Sequence, residues 1–349
     1  MKISDIDPNF KVETTLPYTD VCYRNCEEAP FQIYGIFKEN GKFRRMPEDV
    51  AKSVSEIVYA LHANTAGGRI RFQTDSEYVA ILAKMPAVGK MPHFAFTGSI
   101  GFDLYVKMDG METYYNSFIP PFDIKDGFES HVVFPDRSMR EITINFPLYS
   151  DVSDLYIGLQ ETAALLPATP YKYTLPVVYY GSSITQGGCA SRPGSSYQAI
   201  LSRELDTDYR NLGFSGGAKA EDTIIEYIKN QQMSVFVYDY DHNAPTVEHL
   251  RDTHEKMFRA IRAAQPELPI IMMSRPRYYL NDEAKARLEI IKTTYQNAVN
   301  RGDKNVYLID GPTLMAIAQN EGTVDNCHPN DLGFYSMAKA VAPVLKKLL

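Results

Sequence analysis

Between about residues 66 and 160, apolar positions come in short runs broken by polar turns; after about residue 170 they form denser runs separated by amphipathic stretches. In the first region "GGRIRFQT", "YVAILAKM", "HFAFTGSIGFDLYVKM", "SHVVFPD" and "REITINFPLY" are rich in Val, Ile, Phe, Tyr and Thr, and "TDSE", "MDGM" and "PPFDIKDG" separate them. Such spacing predicts antiparallel strands packed as a sandwich. Ahead of them, "MPEDVAKSVSEIVYALHANTAGG" places Val50, Val54, Ile57, Val58 and Leu61 at helical spacing, which predicts a short helix packed on that sandwich. His62, near its end, reads as a surface or capping histidine.

The second region alternates. Strand-like "LPVVYYG" (175–181) precedes helical "SSYQAILSREL" (195–205), and "DYRNLGF" precedes "EDTIIEYIKNQ" (221–231). "SVFVYDYD" (234–241) precedes "VEHLRDTHEKMFRAIRAAQ" (247–265), and "LPIIMMS" (268–274) precedes "NDEAKARLEIIKTTYQNAV" (281–299). "NVYLIDG" (305–311) then leads to a closing helix over roughly 333–349, which Pro343 should kink. Buried-looking strands alternating with helices predict a parallel sheet flanked on both faces. The expected class is α/β, with an N-terminal β-sandwich domain over 1–170 and a parallel-sheet domain over 171–349.

Composition narrows the partners. At 349 residues and 44% hydrophobic content, the chain has the length of about two domains and ample core material. A formal charge of −7 argues against nucleic acid or an acidic membrane surface, which need clustered Lys and Arg. The short "RSMR" (137–140) reads as a solvated turn. No run is long and apolar enough for a membrane span. "MKISDIDPNF" lacks the apolar centre of a secretory leader, so the expectation is cytoplasmic, or periplasmic or secreted if a leader has been removed. The four cysteines, Cys22, Cys26, Cys189 and Cys327, are too few for a disulfide framework and read as free thiols rather than a metal site.

In open parallel sheets, sites lie beyond the carboxyl ends of the strands. Four clusters sit there: "GSSIT" (181–185), "NLGFSGGA" (211–218), "YDYDHNAP" (238–245) and "VDNCHPNDLGF" (324–334). Each alone has a plain reading as a turn, a helix cap or a loop.

Together, and in this order, they resemble the four sequence blocks of the SGNH (GDSL-type) hydrolase superfamily of esterases, lipases and acyl hydrolases. The resemblance implies Ser183 as nucleophile, with Asp325 and His328 in a D-x-x-H block completing the triad. It also implies an oxyanion hole from the backbone N–H groups of Ser183 and Gly216 and the side chain of Asn243. The chemistry asks for these residue types: a serine hydroxyl needs an adjacent base, a histidine accepts its proton near neutral pH, and a carboxylate orients the imidazole. Ser182 replaces the family's usual Asp and reads as turn scaffolding. Asp241 replaces the glycine two before the oxyanion Asn, and Ala244 replaces the Asp after it. "GFDLY" (101–105) looks like the G-x-D-L-Y signature of a domain found ahead of some SGNH hydrolases, with Asp103 serving sheet geometry or domain contact. The layout is similar to carbohydrate esterase family 2, which implies a jelly-roll-like sandwich and a three-layer, flavodoxin-like catalytic domain.

The resemblance implies a serine esterase acting on short acyl esters, acetyl groups on a carbohydrate first among them. Alternatives are a lipase, acyl hydrolase or thioesterase on other acyl substrates, or a non-catalytic carbohydrate-binding protein retaining the fold. A nucleotide binder using "GFSGGA" is disfavoured, because no G-x-G-x-x-G or G-x-x-x-x-G-K-[ST] loop is present. Arg275 and His242 stand as substrate contacts or structural residues, and Tyr114 and Tyr115 as sugar-stacking or filling residues. Side chains and water complete the chemistry, so no cofactor or metal is expected. The expected partner is a small-molecule or oligosaccharide acyl ester; a homo-oligomer is left open.

Overall fold

The alternating runs of the first region pair as antiparallel strands in a computed structural model that describes residues 15–349. The stretch "MKISDIDPNF", on which the leader reading rests, lies outside the described residues. The chain divides into two compact units.

The first unit takes residues up to Arg44, Ala63–Pro170 and Arg192–Gly194. One sheet runs in the order β1 (Val21–Asn25), β11 (Asp154–Gln160), β6 (Tyr78–Lys84), β9 (Gly127–Val133). The second runs β12 (Leu165–Leu166), β5 (Arg69–Thr74), β10 (Arg140–Asn145), β7 (Phe102–Met108), β8 (Met111–Phe118), with β2 (Gln32–Tyr34) also on β5. A hairpin of β3 (Phe37–Glu39) and β4 (Lys42–Arg44) stands apart. Period-two alternation sends Phe72, Ile81, Leu104, Phe128, Ile144 and Ile157 into one fully apolar core.

Asp103 of "GFDLY" is wholly buried in β7. Its Oδ1 accepts from Asn145 Nδ2 at 2.7 Å, the residue opposite it on β10, and its Oδ2 accepts the Gly194 N–H at 2.8 Å. Asp103 therefore fixes strand pairing and also holds the 192–194 segment within this unit. Tyr114 is exposed on β8, with the Arg192 guanidinium 4.0 Å from its ring centre, while the Tyr115 hydroxyl donates to Val133 O at 3.1 Å.

The second unit takes Arg45–His62, Tyr171–Ser191 and Ser195–Leu349. Its parallel sheet has the order β14 (Thr207–Gly213), β13 (Tyr173–Gly181), β15 (Val235–Asp239), β16 (Ile270–Met273), β17 (Val306–Ile309). Its helices are α1 (Glu48–Val54), α2 (Glu56–Leu61), α3 (Ser183–Gln186), α4 (Tyr197–Leu205), α5 (Asp222–Lys229), α6 (Val247–Ala264), α7 (Asp282–Asn300), α8 (Gly311–Leu314) and α9 (Asp331–Leu348), the last one element with Pro343 inside it. Strand order reverses at β13, between β14 and β15, which is where flavodoxin-like sheets open a crevice. No helix among the described residues is long and apolar enough to cross a membrane.

One expectation is corrected here. The helical stretch of residues 45–62 does not pack on the sandwich; it belongs to the second unit as α1 and α2. Met46, Ala51 and Val58 join the core that contains Phe214, Ala218 and Ile224. The anchor is Arg45, which is 3% exposed. Its guanidinium donates to Asn211 O (3.2 Å), Gly213 O (2.5 Å) and Leu61 O (2.7 Å) and lies 4.7 Å from the Phe214 ring centre. An amphipathic stripe predicts that a helix has a partner, not which partner it has. His62 caps α2 and is buried rather than on the surface.

Arg45→Met removes the Arg45 donor from two buried carbonyls, Asn211 O and Gly213 O, at about 1–3 kcal/mol each, and from the half-buried Leu61 O. Denaturant unfolding of the second unit should therefore shift to a lower midpoint by an amount far beyond a surface substitution; an unchanged midpoint contradicts the anchoring role.

Candidate active site

β13 stops at Gly181 and the chain turns at once into the single-turn helix α3. Ser182 caps that turn, its Oγ accepting the Ile184 N–H at 3.2 Å, and Gly187, at φ 106°, ends it. Ser182 is fully buried, in keeping with a scaffolding role, and Ser183 opens the helix with 8% of its surface exposed.

Ser183 Oγ lies 2.9 Å from His328 Nε2. On the other side of the ring, His328 Nδ1 donates to Asp325 Oδ2 at 2.8 Å. The loop holding both is tight: Asp325 Oδ1 accepts the N–H groups of His328 (2.7 Å) and Cys327 (3.1 Å), and the Val324 N–H donates to His328 O at 2.9 Å. Asn330 then starts α9 by accepting the Gly333 N–H at 3.0 Å. Partial burial opposes ionisation of Asp325, yet the hydrogen bonds from the His328 ring and backbone outweigh it and hold the carboxyl below its ordinary range. The carboxylate is thus available to orient the imidazole.

The two expected oxyanion positions lie on neighbouring loops. Gly216, at φ 69°, sits on the turn after β14, exposed, with nothing within 4 Å of where a Cβ would stand, so it is the left-handed backbone, not space, that favours glycine there. Asn243 follows a 3₁₀ turn after β15. Its Oδ1 accepts the Ala218 N–H at 3.3 Å, which turns Nδ2 to the other side of the amide. Gln186 ties the nucleophile turn to the Gly216 loop, its Oε1 accepting the Ser215 N–H at 3.0 Å.

The residues around Asn243 explain why Asp241 stands there. Asp241 is buried; its Oδ2 accepts the Arg275 N–H at 3.1 Å and lies 3.5 Å from Arg275 Nε. Its backbone oxygen accepts from Arg287 Nη1 at 2.7 Å and Arg275 Nη2 at 3.3 Å, and Ala244 O accepts from Arg287 Nη1 at 3.0 Å. Two buried arginines therefore clamp the turn on both sides of Asn243. Of the two readings of Arg275, the ion-pair partner is the one its geometry displays. Burial raises the Asp241 carboxyl pKa, and the Arg275 charge works against that rise.

His242 Nδ1 lies 3.9 Å from Cys327 Sγ, beside the His328 loop. Desolvation first, then the charges of Arg275 and Arg277, drive its pKa well below the usual imidazole value, so the ring is neutral. Arg277 was not singled out by sequence; it donates to Asn326 O at 2.9 Å, and its place two residues after Arg275 in "SRPRYY" was the available signal. All four cysteines are free, and burial pushes the Cys189 thiol up to about 12. Asp239 and Thr185 were also missed: they form a buried pair beneath α3, with Thr185 Oγ1 donating to Asp239 Oδ1.

Residues 174–346 match the model of the GDSL-like Lipase/Acylhydrolase family, and residues 21–165 match that of the GxDLY domain, the N-terminus of SGNH-hydrolase-type esterases. A comparison with curated proteins found no match. Among solved structures, one assigned to the GDSL-like lipases, from Bacteroides ovatus ATCC 8483, is 29% identical, with a TM-score of 0.84 over 94% of this chain and 98% of its own. The salicylyl-acyltransferase SsfX3 from a tetracycline biosynthetic pathway is 18% identical, with a TM-score of 0.76 over 95% and 98%. A family two carbohydrate esterase from Cellvibrio japonicus is 12% identical, with a TM-score of 0.62 over 94% and 98%. The last two are likenesses of fold, and they extend over both units.

Asp241→Leu strands Arg275 without its buried counter-charge, a loss of about 3–5 kcal/mol for a broken buried pair. Thermal unfolding of the variant should begin well below wild type; equal transitions would show that the pair does not hold the Asn243 turn.

Proposed function

Because the chain belongs to the GDSL-like lipase/acylhydrolase family over residues 174–346, behind a GxDLY N-terminal domain, and is a carboxylic ester hydrolase, we propose that Ser183, His328 and Asp325 are its catalytic triad and that short acyl esters of carbohydrates, acetyl esters first, are its substrates. The observation that carries the reading is the continuous contact from Ser183 Oγ through the imidazole to Asp325, at 2.9 and 2.8 Å.

In this reading Ser183 Oγ attacks the ester carbonyl as its proton passes to His328 Nε2. Asp325 keeps Nδ1 protonated and stabilises the imidazolium. The oxyanion faces the N–H groups of Ser183 and Gly216 and the Asn243 amide. Collapse breaks the bond to the alcohol, which leaves with the proton from His328. Water, deprotonated by His328, then attacks the acyl-serine, and collapse of the second tetrahedral intermediate releases the acid and restores Ser183. The carbohydrate part of the proposal is supported by the layout shared with a family two carbohydrate esterase and by polar groups at the His328 loop, where Arg277 donates to Asn326 O.

Release of p-nitrophenol from the acetate, butyrate and octanoate esters should fall with chain length and vanish in Ser183→Ala. Acetylated oligosaccharides should then be deacetylated, with acetate read directly. Asn243→Ala should lower kcat by about 10²–10³-fold, as loss of one oxyanion donor does. Equal rates in wild type and Ser183→Ala would overturn the assignment, and a preference for octanoate would overturn the short-acyl part.

A further inference from the structure

Asp239 is the last residue of β15 and reaches no substrate, yet it touches both sides of the turn that carries Ser183. Its Oδ1 accepts from Thr185 Oγ1 in α3. Its approach is close enough that a Cβ on Gly181 would stand 1.7 Å from Asp239 Oδ1 and 2.3 Å from Thr185 Oγ1. Thr185 is fully buried, and its backbone oxygen accepts from Gln198 Nε2 and Asn211 Nδ2, each at 2.7 Å. The turn is thus gripped from β15, α4 and β14 at once.

We propose that Asp239 is a positioning residue for the nucleophile, fixing the Ser182–Thr185 turn through the Thr185 hydroxyl and its close packing against Gly181 so that Ser183 Oγ stays in line with His328 Nε2. The proposal rests on the triad reading above and adds a residue that the four-block resemblance does not assign. Asp239 acts as a neutral acid. It is 3% exposed, and its Oδ2 meets no hydrogen-bond partner. The ionisable groups facing it are Asp241, from the following turn, and Tyr197, from α4; neither supplies a positive charge. Burial raises its pKa well above the ordinary carboxylate range, and the bond from Thr185 only partly offsets the rise. A neutral Asp239 serves by shape and hydrogen bonding alone.

The test measures kcat and KM on p-nitrophenyl acetate for Ser183→Ala, Asp239→Ala, Asp239→Asn, Thr185→Val, Thr185→Ser and the double variant Asp239→Ala/Thr185→Val, with thermal unfolding of each. Activity surviving in Ser183→Ala would sink the triad reading itself. With Ser183→Ala inactive, Asp239→Ala and Thr185→Val should each lower kcat by about a hundredfold, the scale of a small misplacement of a reacting group, with KM little changed. Asp239→Asn and Thr185→Ser should restore most of the lost rate. The double variant should be no slower than the slower single variant, because both act through one bond. Wild-type kcat in either single variant, or losses that multiply, would overturn the proposal. Should Asp239→Ala fail to fold, Thr185→Val against Thr185→Ser carries the same decision. The acid limb of kcat/KM should lie at the same pH in Asp239→Asn as in wild type. A shift to lower pH would mean that a negative charge had been removed near His328 and would overturn the neutral-acid role.

Discussion

At the end of β13 the chain passes between a buried carboxyl and a buried hydroxyl with no room for a side chain at Gly181. That close approach lets a strand become a one-turn helix within two residues and lifts Ser183 out of the sheet. Polar groups of the turn are met from the sheet and from one helix: Asp239 from β15, Asn211 from β14 and Gln198 from α4 hold Thr185 from three directions. Buried groups partnered in this way fix one geometry, because any slip would leave donors or acceptors unpaired in a low-dielectric interior. In the proposed mechanism, the placement of the His328 loop and of the loops carrying Gly216 and Asn243 has meaning only relative to a serine held this firmly.

Those other loops use the same kind of restraint with different residues. Asp325 binds the ring of His328 and two backbone N–H groups, so the carboxylate paired with the imidazole also shapes the loop carrying it. Arg287 and the Arg275–Asp241 pair clamp the turn bearing Asn243, and Arg45 closes the end of β14 just before the Gly216 turn. The three arginines are buried side chains spent on backbone carbonyls or a carboxylate, which suits a site whose reacting groups must not move between steps.

Much of this was legible in the chain. Strand and helix spacing separated the two kinds of architecture, and the resemblance of four strand-end clusters to the SGNH blocks is what singled out Ser183, Gly216, Asn243, Asp325 and His328. What local pattern did not carry was pairing at long range. The stripe of Val50, Val54 and Leu61 predicted a helix, yet its partner is the core around Phe214, reached through Arg45 across 166 positions to Asn211. Arg275 read equally as a substrate contact or a structural ion-pair partner, because nothing beside it in the chain names a partner; the carboxylate it meets, Asp241, is 34 positions away. Asp239 was hidden for the opposite reason: an acid inside "VFVYDYD" shows no periodicity that separates a buried positioning group from a strand terminus.

The most direct measurement is covalent. The protein is treated with a fluorophosphonate, which phosphonylates activated serines, then digested and mapped by mass spectrometry. The account predicts a single adduct on Ser183, blocked by an acetyl ester substrate and absent in His328→Ala, with esterase activity lost in step with labelling. An adduct on another residue, or full activity with Ser183 unlabelled, would contradict it.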